Sequence, residues 1–132
     1  MSVVYLETSA LLRIVFDEPE AKRAETVLLQ AERVVASRLL RIEAERALLR
    51  ARLDHRGLEK HSPSIERELR TVWARTAFVD ISREICDLAG RIAPASKLRS
   101  LDAIHLATFQ VLKRLEPSAE MLTFDERLLS AL

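Results

Sequence analysis

The sequence contains little cysteine and few aromatic residues. Cys86 is the only cysteine, so no internal disulfide can form, and we expect a reducing, cytoplasmic environment. Its apolar helical neighbours Ile85 and Leu88 predict that this thiol is buried. Aromatic residues make up only 5% of the chain, and Trp73 and Phe78 lie in apolar runs. The sequence therefore does not predict the aromatic stacking platform that single-strand nucleic-acid binders use.

Long apolar segments and an excess of one charge are also missing. No apolar run approaches the roughly 20 residues of a membrane-spanning helix, and Glu7 interrupts the first run, so we expect neither a membrane segment nor a signal peptide. The 21 basic and 20 acidic residues nearly balance, which neither requires nor excludes a nucleic-acid partner. With 48% hydrophobic and 31% charged residues, the 132 residues predict one folded domain over 1–132.

Strands and helices are predicted to alternate along the chain. Short β-branched or apolar runs predict four strands, at residues 2–6, 33–36, 77–81 and 120–123. Helical spacing and caps predict helices at 10–15, 19–31, 38–55, 61–74, 82–93 and 100–115, with a short terminal helix. Thr8 and Ser9 are the expected N-cap of the first helix, and Gly57 is expected to end the third. This alternation favours an α/β fold whose mostly parallel sheet has helices on both faces.

Four carboxylates lie where these strand-helix units can bring them together. Glu7 follows the first strand, Glu43 lies in the helix after the second, Asp102 opens the penultimate helix, and Asp125 follows the last strand. In open parallel sheets, sites form beyond the carboxyl ends of the strands. Four like charges there repel, and a divalent cation with oxygen ligands, Mg²⁺ or Mn²⁺ rather than Zn²⁺, would stabilise them. Such an ion is suited to phosphodiester hydrolysis.

Each of these acids also has a purely structural interpretation. Asp102 and Asp125 can be favourable residues at helix N-termini, Glu43 can pair with Arg46, and Glu7 can cap a turn. With 20 acidic residues in the chain, some set of four would fall at suitable positions by chance. The residues alone therefore predict an acidic pocket and leave metal binding open.

Three segments resemble the motifs of the PIN-domain family, in the family's usual order. They are VYLETSAL at residues 4–11, LRSLDAIHLA at 98–107 and LTFDERL at 122–128. Between them, SRLLRIE at 37–43 resembles the segment that carries the family's second acid. The resemblance covers essentially the whole chain, and the segment around Asp102 is the most specific part of it.

This resemblance implies a three-layer α/β/α sandwich with a sheet of about four strands. It implies a Mg²⁺- or Mn²⁺-dependent endoribonuclease that leaves 3′-hydroxyl and 5′-phosphate ends, with Glu7, Glu43, Asp102 and Asp125 as catalytic and metal-binding residues. A free-standing domain of this size is similar to the VapC toxins of the family. By that analogy, we expect a homodimer that is silenced by a cognate antitoxin lying across the active site.

Glu7 departs from the family pattern, in which the first acid is nearly always Asp. The extra methylene moves the carboxylate by about 1 Å, a displacement that can cost about a hundredfold in rate. Two origins of Glu7 remain open. It can be a natural residue that binds metal in a shifted geometry, or a substitution introduced to reduce the activity of a toxic enzyme. The alternative function is therefore a PIN-fold domain that binds RNA or protein with weak or no cleavage.

Receiver domains and aspartyl phosphatases need other acids after the first strand, and Glu7-Thr8-Ser9 supplies neither pattern.

Secondary candidates for substrate binding lie beside these acids. Thr8 and Ser9 can place hydroxyls near a phosphate or cap the helix. His105 shares a helical face with Asp102 and can donate to a phosphate, orient the carboxylate or simply pack. Arg99 precedes Asp102 and can contact RNA phosphates.

A cluster of basic residues is predicted on the long third helix. It comprises Arg38, Arg41, Arg46, Arg50 and Arg52. Phosphate contacts from these residues would make RNA binding salt-dependent, and a solvated face paired with nearby acids is the alternative. His55 and His61 have no acidic cluster nearby and are expected to be surface residues.

Overall fold

Strands and helices alternate in the computed structural model, which describes residues 2–54 and 62–132. The predicted end of the third helix at Gly57, the predicted helix start at His61 and the predicted exposure of His55 and His61 lie outside the described residues. The four strands are β1 (Val3–Leu6), β2 (Arg33–Ser37), β3 (Thr76–Val79) and β4 (Glu120–Leu122). They form one sheet in the order β3-β2-β1-β4, and each pair is parallel. The predicted α/β class is confirmed.

Seven helices lie in the described part of the chain, close to their predicted positions. They are α1 (Thr8–Val15), α2 (Ala21–Gln30), α3 (Leu39–Asp54), α4 (Ser62–Arg75), α5 (Arg83–Ala89), α6 (Ser100–Leu115) and α7 (Glu126–Ala131).

Helix and strand ends differ from prediction where the backbone turns. The N-cap of α1 is Glu7, one position before the predicted Thr8-Ser9 cap. α5 ends at Ala89 and not near residue 93, because the Arg91 amide donates to the Leu88 carbonyl three residues back, which closes a tighter turn in place of the helical pattern. β3 stops at Val79 because the Ser82 amide donates to the Asp80 carbonyl and turns the chain into α5.

Two apolar clusters cover the two faces of the sheet. Alternate side chains of a strand point to opposite faces, and β1 divides in this way. Val4 and Leu6 pack into a cluster with α1 to α4, whereas Val3 and Tyr5 pack against Phe109 and the rest of a second cluster on α6. α5 packs against α6 on this second side. The helices therefore form a layer on each face of the sheet, which confirms the three-layer α/β/α architecture.

The strand order places β1 in the interior of the sheet, where all four of its residues are buried. Because the strands are parallel, the segments that follow them meet at one edge. Glu7 follows β1 and Thr123 follows β4, and the Glu7 amide donates to the Leu122 carbonyl at 3.1 Å. The fold thus brings residues from opposite ends of the chain to a common edge.

Cys86 is exposed, so the prediction of a buried thiol is wrong. α5 is a short helix with one buried residue, Ile85, which faces α6. The next residue of a helix points about 100° away, and that rotation turns Cys86 to solvent.

None of the helices in residues 2–54 and 62–132 has the length and hydropathy needed to cross a bilayer.

Candidate active site at the carboxyl edge of the sheet

Glu7 is a buried carboxylate, with only 3% of the residue exposed. It caps α1 with its own side chain, because the Ser9 amide donates to both carboxylate oxygens, at 2.7 and 3.1 Å. The Thr123 hydroxyl donates to Glu7 Oε1 at 3.1 Å. Burial raises the pKa of Glu7 above its ordinary value, and the hydrogen bonds from Ser9 and Thr123 offset part of that rise.

Thr8 and Ser9 direct their hydroxyl groups into the site, since Glu7 provides the cap. The Thr8 hydroxyl donates to Glu43 Oε1 at 2.6 Å. Ser9 Oγ lies 3.2 Å from Thr123 Oγ1 and accepts from the Phe124 amide at 2.8 Å. Both hydroxyls therefore connect α1 to the other elements that carry the acids.

Glu43 lies on α3, where its Oε1 is also 2.6 Å from His105 Nε2. Burial favours a higher pKa for Glu43, but the hydrogen bond and electrostatic interaction with His105 and the hydrogen bond from Thr8 outweigh it and lower the pKa. His105 itself is 2% exposed, and its Nδ1 lies 2.7 Å from the Tyr5 hydroxyl. This burial favours a role in orienting the Glu43 carboxylate over a direct contact with a phosphate.

Asp102 lies in the first turn of α6 and is paired with the residue before that helix. The Arg99 amide and Nε both donate to Asp102 Oδ2, at 3.3 and 3.2 Å. The pKa of Arg99 is raised by this hydrogen bond and by the charge of Asp102, and further by the charges of Asp125 and Glu43. The exposed Arg99 guanidinium therefore lies within the electrostatic range of three of the four acids.

Asp125 caps the last helix. Its Oδ1 accepts from the amides of Arg127 and Leu128 at 2.9 and 3.2 Å, and its own amide donates to Thr123 Oγ1 at 3.0 Å. Thr123 thus connects Asp125 to Glu7. The structural interpretation as helix caps holds for both Asp102 and Asp125, and it is compatible with their position at the shared edge.

The four predicted acids are not in a metal-ligating arrangement. Thr123 links Glu7 to Asp125 by hydrogen bonds. Glu43 bonds instead to Thr8 and His105, and Asp102 bonds to Arg99. Within residues 2–54 and 62–132, no three His, Cys, Asp or Glu side chains are placed to hold a metal ion. Hydrogen bonds in this part of the chain use Glu43 Oε1, Asp102 Oδ2 and Asp125 Oδ1, and none uses the second oxygen of these carboxylates. The donor set consists of carboxylate oxygens, so its chemistry fits Mg²⁺ or Mn²⁺.

The basic cluster on and beside α3 is partly neutralised. Three of its five arginines lie in ion pairs: Arg38 with Asp80, Arg41 with Glu45, and Arg52 with Glu66. Arg46 and Arg50 are exposed. The alternative of a face paired with nearby acids therefore describes most of this cluster.

Two residues of the site are absent from the sequence-based candidates. Thr123 bridges Glu7 and Asp125, and its place directly after β4 was the available indication. Tyr5 lies in the predicted first strand, and its hydroxyl is buried next to His105. Its role depends on the pairing of residues 100 positions apart, which no local pattern shows.

The PIN domain family model matches residues 4–131 of this chain. Ribonuclease VapC46 of Mycobacterium tuberculosis is 32% identical over 131 residues, which cover 99% of this chain and 91% of that protein. Ribonuclease VapC35 of the same species is 36% identical over 131 residues, covering 98% and 89%.

Solved structures show the same fold at low sequence identity. The M. tuberculosis VapC20 toxin, described as cleaving the sarcin-ricin loop, superposes with a TM-score of 0.68 at 14% identity, covering 97% of this chain and 94% of that one. A toxin-antitoxin complex from Klebsiella pneumoniae gives a TM-score of 0.64 at 20% identity, covering 92% and 86%. The match of the family model over nearly the whole length, the similar relatives and the shared fold show that this chain belongs to the PIN domain family.

Proposed function

We propose that this chain is a Mg²⁺- or Mn²⁺-dependent endoribonuclease of the VapC toxin type, acting in a toxin-antitoxin pair. The observation that carries the proposal is the linkage of acids from distant segments at the carboxyl edge of the sheet, where Thr123 bridges Glu7 and Asp125. The relatives with 30% identity or more are named ribonucleases, which supports RNA as the substrate.

Glu7, Glu43, Asp102 and Asp125 would hold the ion. When bound, such an ion supplies Lewis acidity that neutralises charge on the phosphoryl oxygens. The acids must turn toward a common point for this, and the unused oxygens of Glu43, Asp102 and Asp125 leave them able to do so. Glu43, whose pKa is lowered, is ionised at neutral pH and ready to act as a ligand.

Arg99 has two uses in this site. In the metal-free chain its guanidinium offsets the negative charge around Asp102. Its side chain is 67% exposed, so once a cation replaces it beside Asp102 it can contact an RNA phosphate at the rim. Thr8 and Ser9 remain within the site, where the Thr8 hydroxyl donates to Glu43 and Ser9 Oγ accepts from the Phe124 amide in the segment after β4.

Protein partners are proposed from two surfaces. Ile42, Leu49 and Leu53 are exposed apolar residues that share one side of α3, which supports a homodimer. An apolar groove between α2 and α4, lined by Leu28 and Val72, supports binding of a cognate antitoxin segment. The Klebsiella structure is a toxin-antitoxin complex, which favours the same kind of partner here.

Purified chain, freed of any partner, tests the enzymatic function. We expect it to cleave structured RNA with Mg²⁺ or Mn²⁺, leaving 5′-phosphate ends, and to be silent with chelator. Asp102→Asn should abolish cleavage, whereas Asp87→Asn, which changes an exposed acid on α5, should not. Cleavage that needs no metal, or that survives Asp102→Asn, would remove this mechanism.

The alternative, a PIN-fold binding domain without cleavage, is favoured by the state of Glu7. Both of its oxygens accept from the Ser9 amide, so turning it toward an ion costs hydrogen bonds. Glu7→Asp, which restores the residue typical of the family, should preserve or raise cleavage. If the original chain is inactive under all metal conditions and cleavage begins only with Glu7→Asp, the binding domain is the correct description of the chain as it stands.

A further inference from the structure

We propose that Tyr5 and His105 are positioning residues that fix the direction of the Glu43 carboxylate. The proposal rests on the proposed function for its consequence, because Glu43 is there a ligand of the catalytic ion. The arrangement of the three side chains is a property of the metal-free chain and can be measured without activity.

The three side chains form one hydrogen-bonded chain across three elements. The Tyr5 hydroxyl of β1 lies 2.7 Å from His105 Nδ1 on α6, and His105 Nε2 lies 2.6 Å from Glu43 Oε1 on α3. Tyr5 is fully buried and His105 is 2% exposed, so water does not compete for these bonds. The Tyr5 ring also packs edge-on against the imidazole, with centroids 6.0 Å apart.

Chemistry determines the direction of each hydrogen bond. An ionised carboxylate can only accept, so His105 Nε2 carries the proton that it donates to Glu43. In a neutral imidazole the other nitrogen is then an acceptor, and Nδ1 accepts from the Tyr5 hydroxyl. A tyrosine hydroxyl is protonated at neutral pH and able to donate. Glu43 therefore requires the Nε2–H tautomer of His105, and the Tyr5 hydroxyl supports that tautomer by donating to Nδ1.

These hydrogen bonds make the two carboxylate oxygens of Glu43 different from each other. Oε1 accepts from both His105 and Thr8, and this leaves Oε2 as the oxygen available to a cation. A glutamate side chain that lacks such partners samples several rotamers, and ordering it on binding has an entropic cost. Partners that orient a ligand in this way typically contribute about 10- to 100-fold to metal affinity.

Ordinary core packing gives a different expectation. If the ring of Tyr5 only fills space, Tyr5→Phe keeps the ring and its contact with Phe109 and changes nothing at Glu43. If the Tyr5 hydroxyl supports the Nε2–H tautomer of His105, the same substitution disturbs the hydrogen bond between His105 and Glu43. Phe109→Leu is the matched control, because it alters the same apolar cluster without removing a hydrogen bond from the network.

The first readout is the tautomer of His105 in the metal-free chain, measured by two-bond ¹H–¹⁵N NMR in the presence of chelator. The chain has three histidines, and His105→Gln assigns the signals. We expect a single Nε2–H tautomer in the original chain and a mixture of tautomers in Tyr5→Phe. An Nδ1–H tautomer or an averaged spectrum in the original chain would overturn the proposal.

The second readout is Mn²⁺ affinity, measured by electron paramagnetic resonance on variants whose folding is checked by circular dichroism. We expect about tenfold weaker binding in His105→Leu, a smaller loss in Tyr5→Phe, and partial rescue in His105→Gln, whose amide can still donate. Phe109→Leu should bind as the original chain does. Equal affinity in all variants would refute the positioning role and leave the nuclease proposal standing.

An original chain that neither binds Mn²⁺ nor cleaves RNA would refute the nuclease proposal. The tautomer measurement would still decide whether Tyr5 and His105 position Glu43.

Discussion

Glu7 and Glu43 are held by hydrogen bonds that include side chains distant in sequence, Thr123 and His105, and for this reason we call them the inner pair. Asp102 and Asp125, the outer pair, are held by backbone amides within three residues of themselves. The outer pair is therefore positioned by local capping, which any helix N-terminus provides. The inner pair depends on tertiary packing, and its geometry is lost when that packing changes.

The pKa values of the two residues of the inner pair are shifted in opposite directions. Burial raises the pKa of Glu7 despite its hydrogen bonds, whereas the contacts with His105 and Thr8 lower the pKa of Glu43 in spite of burial. The charge on Glu7 is therefore costly to the metal-free fold, and the charge on Glu43 is stabilised by it. A cation bound at this edge would lower the cost of the charge on Glu7.

The largest expected effect is on RNA cleavage, in a variant of the outer pair that keeps the helix cap but loses the negative charge. Asp125→Ser keeps a good N-cap for α7 but removes the carboxylate. We expect RNA cleavage to fall by at least about a hundredfold while the free energy of unfolding changes by only a few tenths of a kcal/mol. Cleavage rates and chemical denaturation measure the two quantities on the same preparation. Unchanged cleavage would show that Asp125 is only a cap.

An intermediate effect is expected on stability, with opposite signs at the two glutamates. At pH 7 with chelator, Glu7→Gln should raise the free energy of unfolding, because it removes a buried carboxylate whose charge burial disfavours. Glu43→Gln should lower the free energy of unfolding, because it removes an ionised acceptor. Denaturant unfolding of both variants checks this, and the same sign in both would break the distinction between them.

The pH dependence follows from the directions of the same shifts. A raised native pKa makes the contribution of Glu7 to stability greatest below its ordinary pKa of 4.5, and that contribution is lost as the pH rises through the raised value. A lowered native pKa makes the contribution of Glu43 greatest above 4.5 and lost as the pH falls through the lowered value. The advantage of Glu7→Gln should therefore shrink as the pH falls toward 4.5. An advantage that grows in acid would contradict the raised pKa of Glu7.

The smallest expected effect concerns Arg99, the exposed partner of the outer pair. Arg99→Gln should weaken RNA binding a few-fold and lower the salt dependence of binding by about one phosphate contact. Arg91→Gln, which changes an exposed residue beyond α5, serves as the control. Binding measured over a range of salt concentrations gives the slope, and equal slopes in both variants would exclude Arg99 from RNA contact.

Much of the fold was predictable because its signals are local. Hydrophobic periodicity and caps located the strands and the helices, and the positions of the acids after strands indicated the functional edge. The cap at Glu7 was missed because glutamate is uncommon at that position and Thr8-Ser9 offered the usual residues. Cys86 was misplaced because an apolar pattern in a seven-residue helix does not show how little of it is buried.

The internal structure of the site depends on contacts that the sequence does not display. The alternative interpretation of Glu43 was a pair with Arg46 on its own helix, but Glu43 contacts Thr8 and His105 on two other elements. The Tyr5 hydroxyl acquires a role only when β1 and α6 are packed together. The sequence therefore indicated where the acids lie, and tertiary packing determined what holds Glu7 and Glu43.

The most direct test of the account is a crystal structure of the chain, freed of partner, in Mn²⁺, with anomalous scattering used to locate the ion. We expect one or two peaks within about 2.2 Å of carboxylate oxygens from both the inner and the outer pair. We also expect the Arg99 guanidinium to move away from Asp102. A peak held by other residues, or saturating Mn²⁺ with no peak and Arg99 still bound to Asp102, would contradict it.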